Sequence, residues 1–423
     1  MTSRERVELA LRHQEPDRVP LDLGSTMVTG MQASSVYQLR QALGLDEPGT
    51  PVKVVEPYQM LGEIKIDLIE ALGVDTVGLW GKKNFFGFAN EGWKPWTLFD
   101  GTPVLVPERF NTEPDENGDI LTYPEGDVSV PPSARMPQGG WYFDSIVRQG
   151  PIDDDSLNVE DNLEEFGPLS DEEIAWFTSE IDRLADTDRA VIGSLGGASF
   201  GDIALVPAPQ LKHPKGIRDI EEWYVSTGIR RGYVYEIFDR QCEIALNNLE
   251  KFYEICGNRL TAVFMTGTDF GTQNGPFISP KTYHELFKPF HVRINNWIHE
   301  NTEWRSFIHS CGSIWRLLDD IVDAGFEILN PVQITAAEMD PGDLKGKYGD
   351  RVTFWGGGID TQKTLPFGSP DEVRENVRHT MRIFGQGGGF VWNSVHNVQA
   401  GVPRDNLLAL YEAINEYRTY PIT

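Results

Sequence analysis

Phe307-Ile308-His309-Ser310-Cys311-Gly312 is the stretch on which the reading of this chain turns. An apolar run leads into it and a helix-like segment over residues 313–323 leads out, the pattern of a strand-turn-helix unit. In a strand, residues i and i+2 point to the same face. His309 and Cys311 can therefore aim an imidazole and a thiolate at one point, as a zinc site needs. An isolated His-x-Cys is more often a buried thiol beside a hydrogen-bonded histidine. The surrounding chain changes that balance.

On either side, short apolar runs alternate with helices. Ala190-Val191-Ile192-Gly193-Ser194 and Leu260-Thr261-Ala262-Val263-Phe264-Met265 read as strands, and further strands end near His309, Asn330, Trp355 and Trp392. Ser279-Pro280 caps a helix running toward Phe287. Ser369-Pro370-Asp371-Glu372 is a capping box with proline at the first helical position, and Gly385 ends that helix. Leu407, Leu410, Tyr411, Ile414 and Tyr417 form the apolar stripe of a last helix. Alternating strands and helices predict a parallel sheet with right-handed crossovers. The count from Val74 to Trp392 is compatible with eight units. The expected class is α/β, a (β/α)8 TIM barrel, with a doubly wound sheet as second choice.

Toward the N-terminus, a helix is expected over residues 3–13, with Ser3 near its N-cap. Pro16 and Pro20 then force an extended segment. A helix around residues 62–72 leads into a short strand at Gly73-Val74-Asp75-Thr76-Val77-Gly78. Residues 84–165 break the pattern, being rich in Trp, Gly, Pro and acids. Asp100-Gly101, Glu116-Asn117-Gly118 and Glu125-Gly126 look like hairpin turns. The segment reads as a β-rich, lid-like insertion, with Trp93, Trp96 and Tyr142 as pocket-lining or satellite-core aromatics.

With 423 residues and 40% hydrophobic content, the chain can bury a substantial core. No stretch approaches the ~20 apolar residues of a membrane span, and the N-terminus lacks an apolar signal core. A net charge of -27 argues against nucleic acid as a partner. Three cysteines, Cys242, Cys256 and Cys311, are too few for a disulfide scaffold and fit a reducing compartment. The expectation is a cytoplasmic protein, with no membrane and no nucleic-acid partner.

Barrel enzymes carry their sites at the C-terminal ends of the strands. There the chain places Ser194-Leu195-Gly196-Gly197, Asp269 with Gln273, His309 with Cys311, Asn330 with Gln333, Gly356-Gly357-Gly358, and Asn393-Ser394-Val395-His396. Amide- and glycine-rich loops suit a neutral or anionic ligand held by hydrogen bonds, with Gln273, Asn330, Gln333 and Asn393 as its donors and acceptors. Neither glycine run has the order of a phosphate loop; tight turns or close backbone approach explain them better.

Arg4-Glu5-Arg6-Val7 through Glu15-Pro16-Asp17-Arg18-Val19-Pro20 resembles the opening of the uroporphyrinogen decarboxylase superfamily. So do Leu72-Gly73-Val74-Asp75, Ser279-Pro280 with Lys288-Pro289, and Pro403 with Asn406. The resemblance implies a single barrel domain over residues 1–423, interrupted by the 84–165 insertion, with its site in the mouth. Members that decarboxylate uroporphyrinogen carry an N-terminal Arg-Gln-Ala-Gly-Arg motif. This chain has Leu23-Gly24-Ser25-Thr26-Met27 in that neighbourhood, without the charge that several carboxylates require.

The other branch, methyltransferases working with corrinoid proteins, is similar in His-x-Cys followed by a late Cys, together binding zinc. His309 and Cys311 match; the late position is His396 here. The resemblance implies zinc at His309, Cys311 and His396, and a corrinoid carried by a partner protein. The expected activity moves a methyl group between a small methylated substrate, such as a methoxylated aromatic undergoing O-demethylation, or a thiol, and that corrinoid. His396 is alternatively a general acid or a hydrogen-bond donor. Asp269 is a metal ligand, a partner orienting His309, or a proton shuttle, and Asp75 a pocket carboxylate. Two rivals are a metal-free decarboxylase or lyase of a small aromatic or pyrrolic acid, using Asp75, Asp269 and His396, and a non-catalytic ligand-binding barrel. A monomer or homodimer is expected.

Overall fold

The computed structural model describes residues 1–194 and 198–423. Seven strands form one sheet: Thr76–Leu79, Ala190–Ser194, Ala262–Thr266, Arg305–His309, Ile328–Asn330, Thr353–Trp355 and Phe390–Val391. Each pairs in parallel with the next in chain order. This neighbour order, with helices between strands, is that of a (β/α) barrel.

The two edges of the curled sheet meet on the extended segment after the first helix. Trp392 N–H donates to Pro20 O (2.8 Å), Asp22 N–H to Trp392 O (2.9 Å) and Asp75 N–H to Leu21 O (2.7 Å). Residues 20–22 thus fill the eighth position. The expected eight units between Val74 and Trp392 are corrected to seven, and the N-terminal segment closes the ring. Pro20 has no N–H to give, so a few bonds replace a longer ladder.

Side chains alternate along a strand, and one set points inward. Ile192, Phe307, Ile328, Trp355 and Val391 meet inside the barrel and pack on Val7, Ala10 and Leu11 of the helix Ser3–Leu11. That helix is capped by Thr2 with Glu5, one residue before the expected Ser3. Gly389 N–H donates to Ala10 O and Arg4 N–H to Asp188 O, so the helix plugs the end where strands begin. The opposite end is left open for the site.

The outer helices follow their sequence signals. Ser369 and Glu372 form the capping box of Pro370–Phe384, which Gly385 terminates. Leu407, Leu410, Tyr411 and Ile414 bury the inner face of Arg404–Tyr417. The helix expected to stop near Phe287 continues: Ser279 caps Pro280–Thr282, a π-helical turn spans Tyr283–Phe287, and Lys288–Asn301 follows. The helix before the first sheet strand starts at Ile66 rather than 62, because Leu61–Gly62 is a strand; it ends at Gly73 (φ 66°).

The insertion divides between two small sheets. Lys94–Thr97 and Pro103–Val106 join Val52–Glu56 and Leu61–Gly62, while Thr112–Pro114, Ile120–Thr122, Ala134–Met136 and Asp144–Ser145 form a meander. Gly101 and Gly118 turn hairpins with positive φ, as expected. Glu125-Gly126 is instead a corner pressed on Arg109, whose carbonyl oxygen would lie 2.1 Å from a Cβ on Gly126. Trp96 packs edge-on against Phe110. No helix among the described residues is long and apolar enough to cross a membrane.

Candidate functional site

A cavity of about 1010 Å³ opens at the C-terminal ends of the strands. Ser194, Phe264, His309 and His396 line its barrel side, and Tyr58, Phe85, Tyr142 and Phe143 its other wall. Expected residues Leu195, Gly196 and Gly197 lie outside the described residues.

His309 is the last residue of its strand and is almost fully buried. Its Nδ1 lies 2.5 Å from Asn330 Oδ1. The Asn330 amide is oriented by its other end, because Nδ2 donates to the Trp355 carbonyl at 2.6 Å. An amide whose NH2 faces a carbonyl must present its oxygen to His309, so Nδ1 carries the hydrogen. Nε2 is then the free lone pair, and it faces Cys311 Sγ at 3.3 Å. Burial lowers the His309 pKa to about 4, which keeps the ring neutral. Its 3.9 Å separation from Asp269 Oδ1 is accordingly not an ion pair.

The Cys311 loop is braced on three sides. Cys311 N–H donates to Asp269 Oδ1 at 2.6 Å, Gly312 N–H to Gln333 Oε1 at 2.7 Å, and Phe270 N–H to Ser310 Oγ at 2.9 Å. Gly312 has φ 84°, and a Cβ there would come within 2.3 Å of Gly271. Only glycine fits this crossing of two loops. Burial, then Asp269, holds the Cys311 thiol well above the usual range.

His396 arrives from the loop after the last strand. Its ring centroid is 5.3 Å from that of His309, at 72°. One ligand atom each from His309, Cys311 and His396 lie within 4.8 Å of one another. Burial, then His309, lowers the His396 pKa to about 4. Tetrahedral zinc with bonds of about 2.0–2.3 Å sets its ligand atoms roughly 3.3–3.8 Å apart. Two neutral imidazoles and one thiol at this spacing fit that ion, with small closure by His396.

Asp269 lines the cavity beside this cluster, its pKa raised by burial against the pull of the Cys311 N–H. The expected ligand-binding amides are occupied elsewhere. Asn330 serves His309, Gln333 holds Gly312, and Gln273 bonds Gln333 and the Thr335 carbonyl. Asn393 Nδ2 donates to the carbonyls of Asp22 and Thr29, tying the closing segment to the last strand. None of the four lines the cavity. The glycine run 356–358 turns tightly, Gly358 lying against Trp392 and Asn393.

Asp75 is not part of the site. It precedes the strand Thr76–Leu79 and so lies at the plugged end of the barrel. Fully buried, it binds Arg6 at 2.6 Å, Arg18 at 3.3 Å, Ser3 Oγ at 2.8 Å and Leu21 N–H at 2.9 Å. This cluster anchors the plug and the closing segment, and the expectation of a pocket carboxylate is corrected.

Two cavity carboxylates whose pKa values burial raises strongly escaped the sequence reading. Glu56 ends the strand Val52–Glu56 and accepts from Tyr58 and Gln59 N–H; burial pushes it up to about 7. Asp202 follows the strand Ala190–Ser194, and burial, then Asp269, raises it to about 8. An acid closing the apolar run Val52-Lys53-Val54-Val55 was a usable signal. Asp202 sits eight residues beyond its strand, where little in sequence marks it.

Residues 236–417 match the family described as uroporphyrinogen decarboxylase (URO-D). Over that stretch the chain is URO-D-like. Among curated relatives, a uroporphyrinogen decarboxylase from Synechocystis is 24% identical over 76% of this chain and 81% of its own length. One from Psychromonas ingrahamii is 23% identical over 34% of this chain, and that match spans only 39% of the relative. Among solved structures, a methyltransferase from Methanosarcina mazei superposes on the URO-D-like chain with TM-score 0.52, 14% identity and 99% coverage of both chains. That likeness is one of fold, and it supports the barrel.

Proposed function

We propose that this URO-D-like barrel is a zinc-dependent methyltransferase, passing a methyl group between a small methylated substrate or thiol and a corrinoid protein. The observation that carries the reading is the convergence of His309, Cys311 and His396 on one point at the cavity floor, with His309 Nε2 left free by Asn330. Held by these three groups, zinc would supply Lewis acidity toward an oxygen or sulfur of the reactants, such as a thiol acceptor.

The chain's own residues do the rest. Asn330 fixes the His309 ring, and Asp269 fixes Cys311 through its N–H, so the donor set is organised before any ligand arrives. A methyl group offers no charge to grip, so donor and acceptor must be held in line by shape. The aromatic walls Phe264, Phe85 and Phe143 suit that task. The 84–165 insertion contributes Phe85, Tyr142 and Phe143, and in this reading it is a lid that also borders the docking face for the corrinoid protein.

Metal-free decarboxylation loses support on two counts. Asp75 is committed to the far end of the barrel, and no arginine among the described residues lines the cavity to hold carboxylates. The test is metal content of the purified protein and of His309→Ala and Cys311→Ala. About one zinc per chain, lost in both variants, is expected. A folded protein that takes no zinc when supplied with it anaerobically would sink the proposal.

A further inference from the structure

The cavity floor is metal-competent, but much of its wall is acidic and aromatic. Asp202 and Glu56 both line it. One oxygen of Asp202 accepts from Ala204 N–H at 2.9 Å; the other packs over Gly267, where a Cβ would come within 2.6 Å. No basic side chain pairs with either carboxylate among the described residues. Of the two lining lysines, Lys82 is tied to Glu172 at 2.5 Å and Lys83 is exposed. Ser194 Oγ, buried on the same wall, has no hydrogen-bond partner among the described residues. Tyr58 and Phe85 pack 4.6 Å apart at the cavity's edge and offer aromatic faces.

Unpaired carboxylates, a spare hydroxyl oxygen and aromatic faces are what a small organic cation requires. We infer that the methyl-bearing substrate is a small alkylammonium ion, its charge met by Asp202 and Glu56 and its alkyl groups by the aromatic wall. This rests on the methyl-transfer reading. It replaces the neutral or anionic ligand expected from the strand-end amides, which the protein uses itself. In transfer, the C–N bond breaks and its electron pair stays on nitrogen. The acceptor, a thiolate or reduced corrinoid, supplies the pair for the new bond to methyl. A quaternary nitrogen leaves as a neutral tertiary amine, so no proton donor is needed.

Asp202 lies beside Asp269 and Tyr224, and Glu56 beside Tyr58, with no cation paired to either acid among the described residues. An entering cation favours their ionised forms.

The test is calorimetric titration of the full-length protein, zinc-loaded and chelator-stripped, with choline, its neutral carbon isostere 3,3-dimethylbutan-1-ol, and 4-methoxybenzoate. Choline is expected to bind at least about tenfold more tightly than the isostere, and the anion least. Asp202→Asn should erase about tenfold of choline affinity with zinc content unchanged; Glu56→Gln serves the same purpose if that variant does not fold. Equal binding of choline and isostere, tighter binding of the anion, or no binding of any probe overturns the inference. Choline binding by a protein that takes no zinc would keep the cation site and sink the zinc mechanism. Zinc uptake without choline preference would do the reverse.

Discussion

Asn330 decides which nitrogen of His309 carries the hydrogen. Its Nδ2 is spent on the Trp355 carbonyl, so its Oδ1 must accept from His309 Nδ1, and the ring's lone pair turns to Cys311. Partners of this kind typically account for 10–100-fold in metal affinity, by rough estimate. Asn330→Leu keeps the volume and removes both bonds. Zinc affinity, read by competition with a chromophoric chelator, is expected to fall by about that 10–100-fold. The orphaned Trp355 carbonyl should cost about 1–3 kcal/mol of stability. Unchanged zinc affinity in a folded variant would mean that the ring is held by packing alone.

Gly312 is a second control on the same loop. Its φ of 84° and the 2.3 Å approach to Gly271 leave no place for a methyl group. Gly312→Ala must shift the loop that presents Cys311. The left-handed conformation alone costs an L-residue roughly 1–2 kcal/mol. The expected outcome is a folded barrel with weakened zinc binding and a modest fall in melting temperature. Wild-type zinc affinity would show that the crossing is slack.

Asp75 separates stability from activity. It holds Arg6 and Arg18 at the plugged end of the barrel, away from the His309 cluster. Breaking a buried pair by removing one charge costs about 3–5 kcal/mol. Asp75→Asn should therefore unfold at markedly lower denaturant while binding zinc with normal stoichiometry when folded. Loss of turnover at full stability would return Asp75 to the catalytic set.

How far these features were legible follows from what each depends on. The barrel strands stood out because apolar runs ending in polar residues are local patterns. The His309–Cys311 pairing was legible because it needs only the two-residue repeat of a strand. His396 entered only through its place in a resemblance, since its meeting with His309 depends on closure of the ring. That closure was itself misread: two prolines and isolated bridges leave no strand pattern in residues 16–22. Gln273, Asn330, Gln333 and Asn393 were located at strand ends, but composition does not say which amide a neighbouring loop will consume. Asp75 had a readable warning, because it precedes its strand whereas Asp269 and Cys311 follow theirs.

Glu56 gives the fold a pH dependence with a definite sign. Burial holds its carboxyl at about 7, against ~4.3 for an exposed glutamate. Below the lower value the group is protonated in both folded and unfolded chains and costs nothing. As pH rises toward 7 the unfolded chain ionises first, so stability falls; above about 7 both are ionised and the loss levels off. The full effect is roughly 3–4 kcal/mol. Denaturant unfolding of Glu56→Gln should show a flatter profile than wild type between about pH 5 and 7. The amide keeps only one acceptor for the Tyr58 and Gln59 N–H groups, which lowers stability by a constant at every pH, so the slope is the readout. Parallel slopes would mean that Glu56 ionises freely in the folded cavity. The same carboxylate would then offer a standing negative charge to a cation at neutral pH, and choline affinity would not rise between pH 6 and 8.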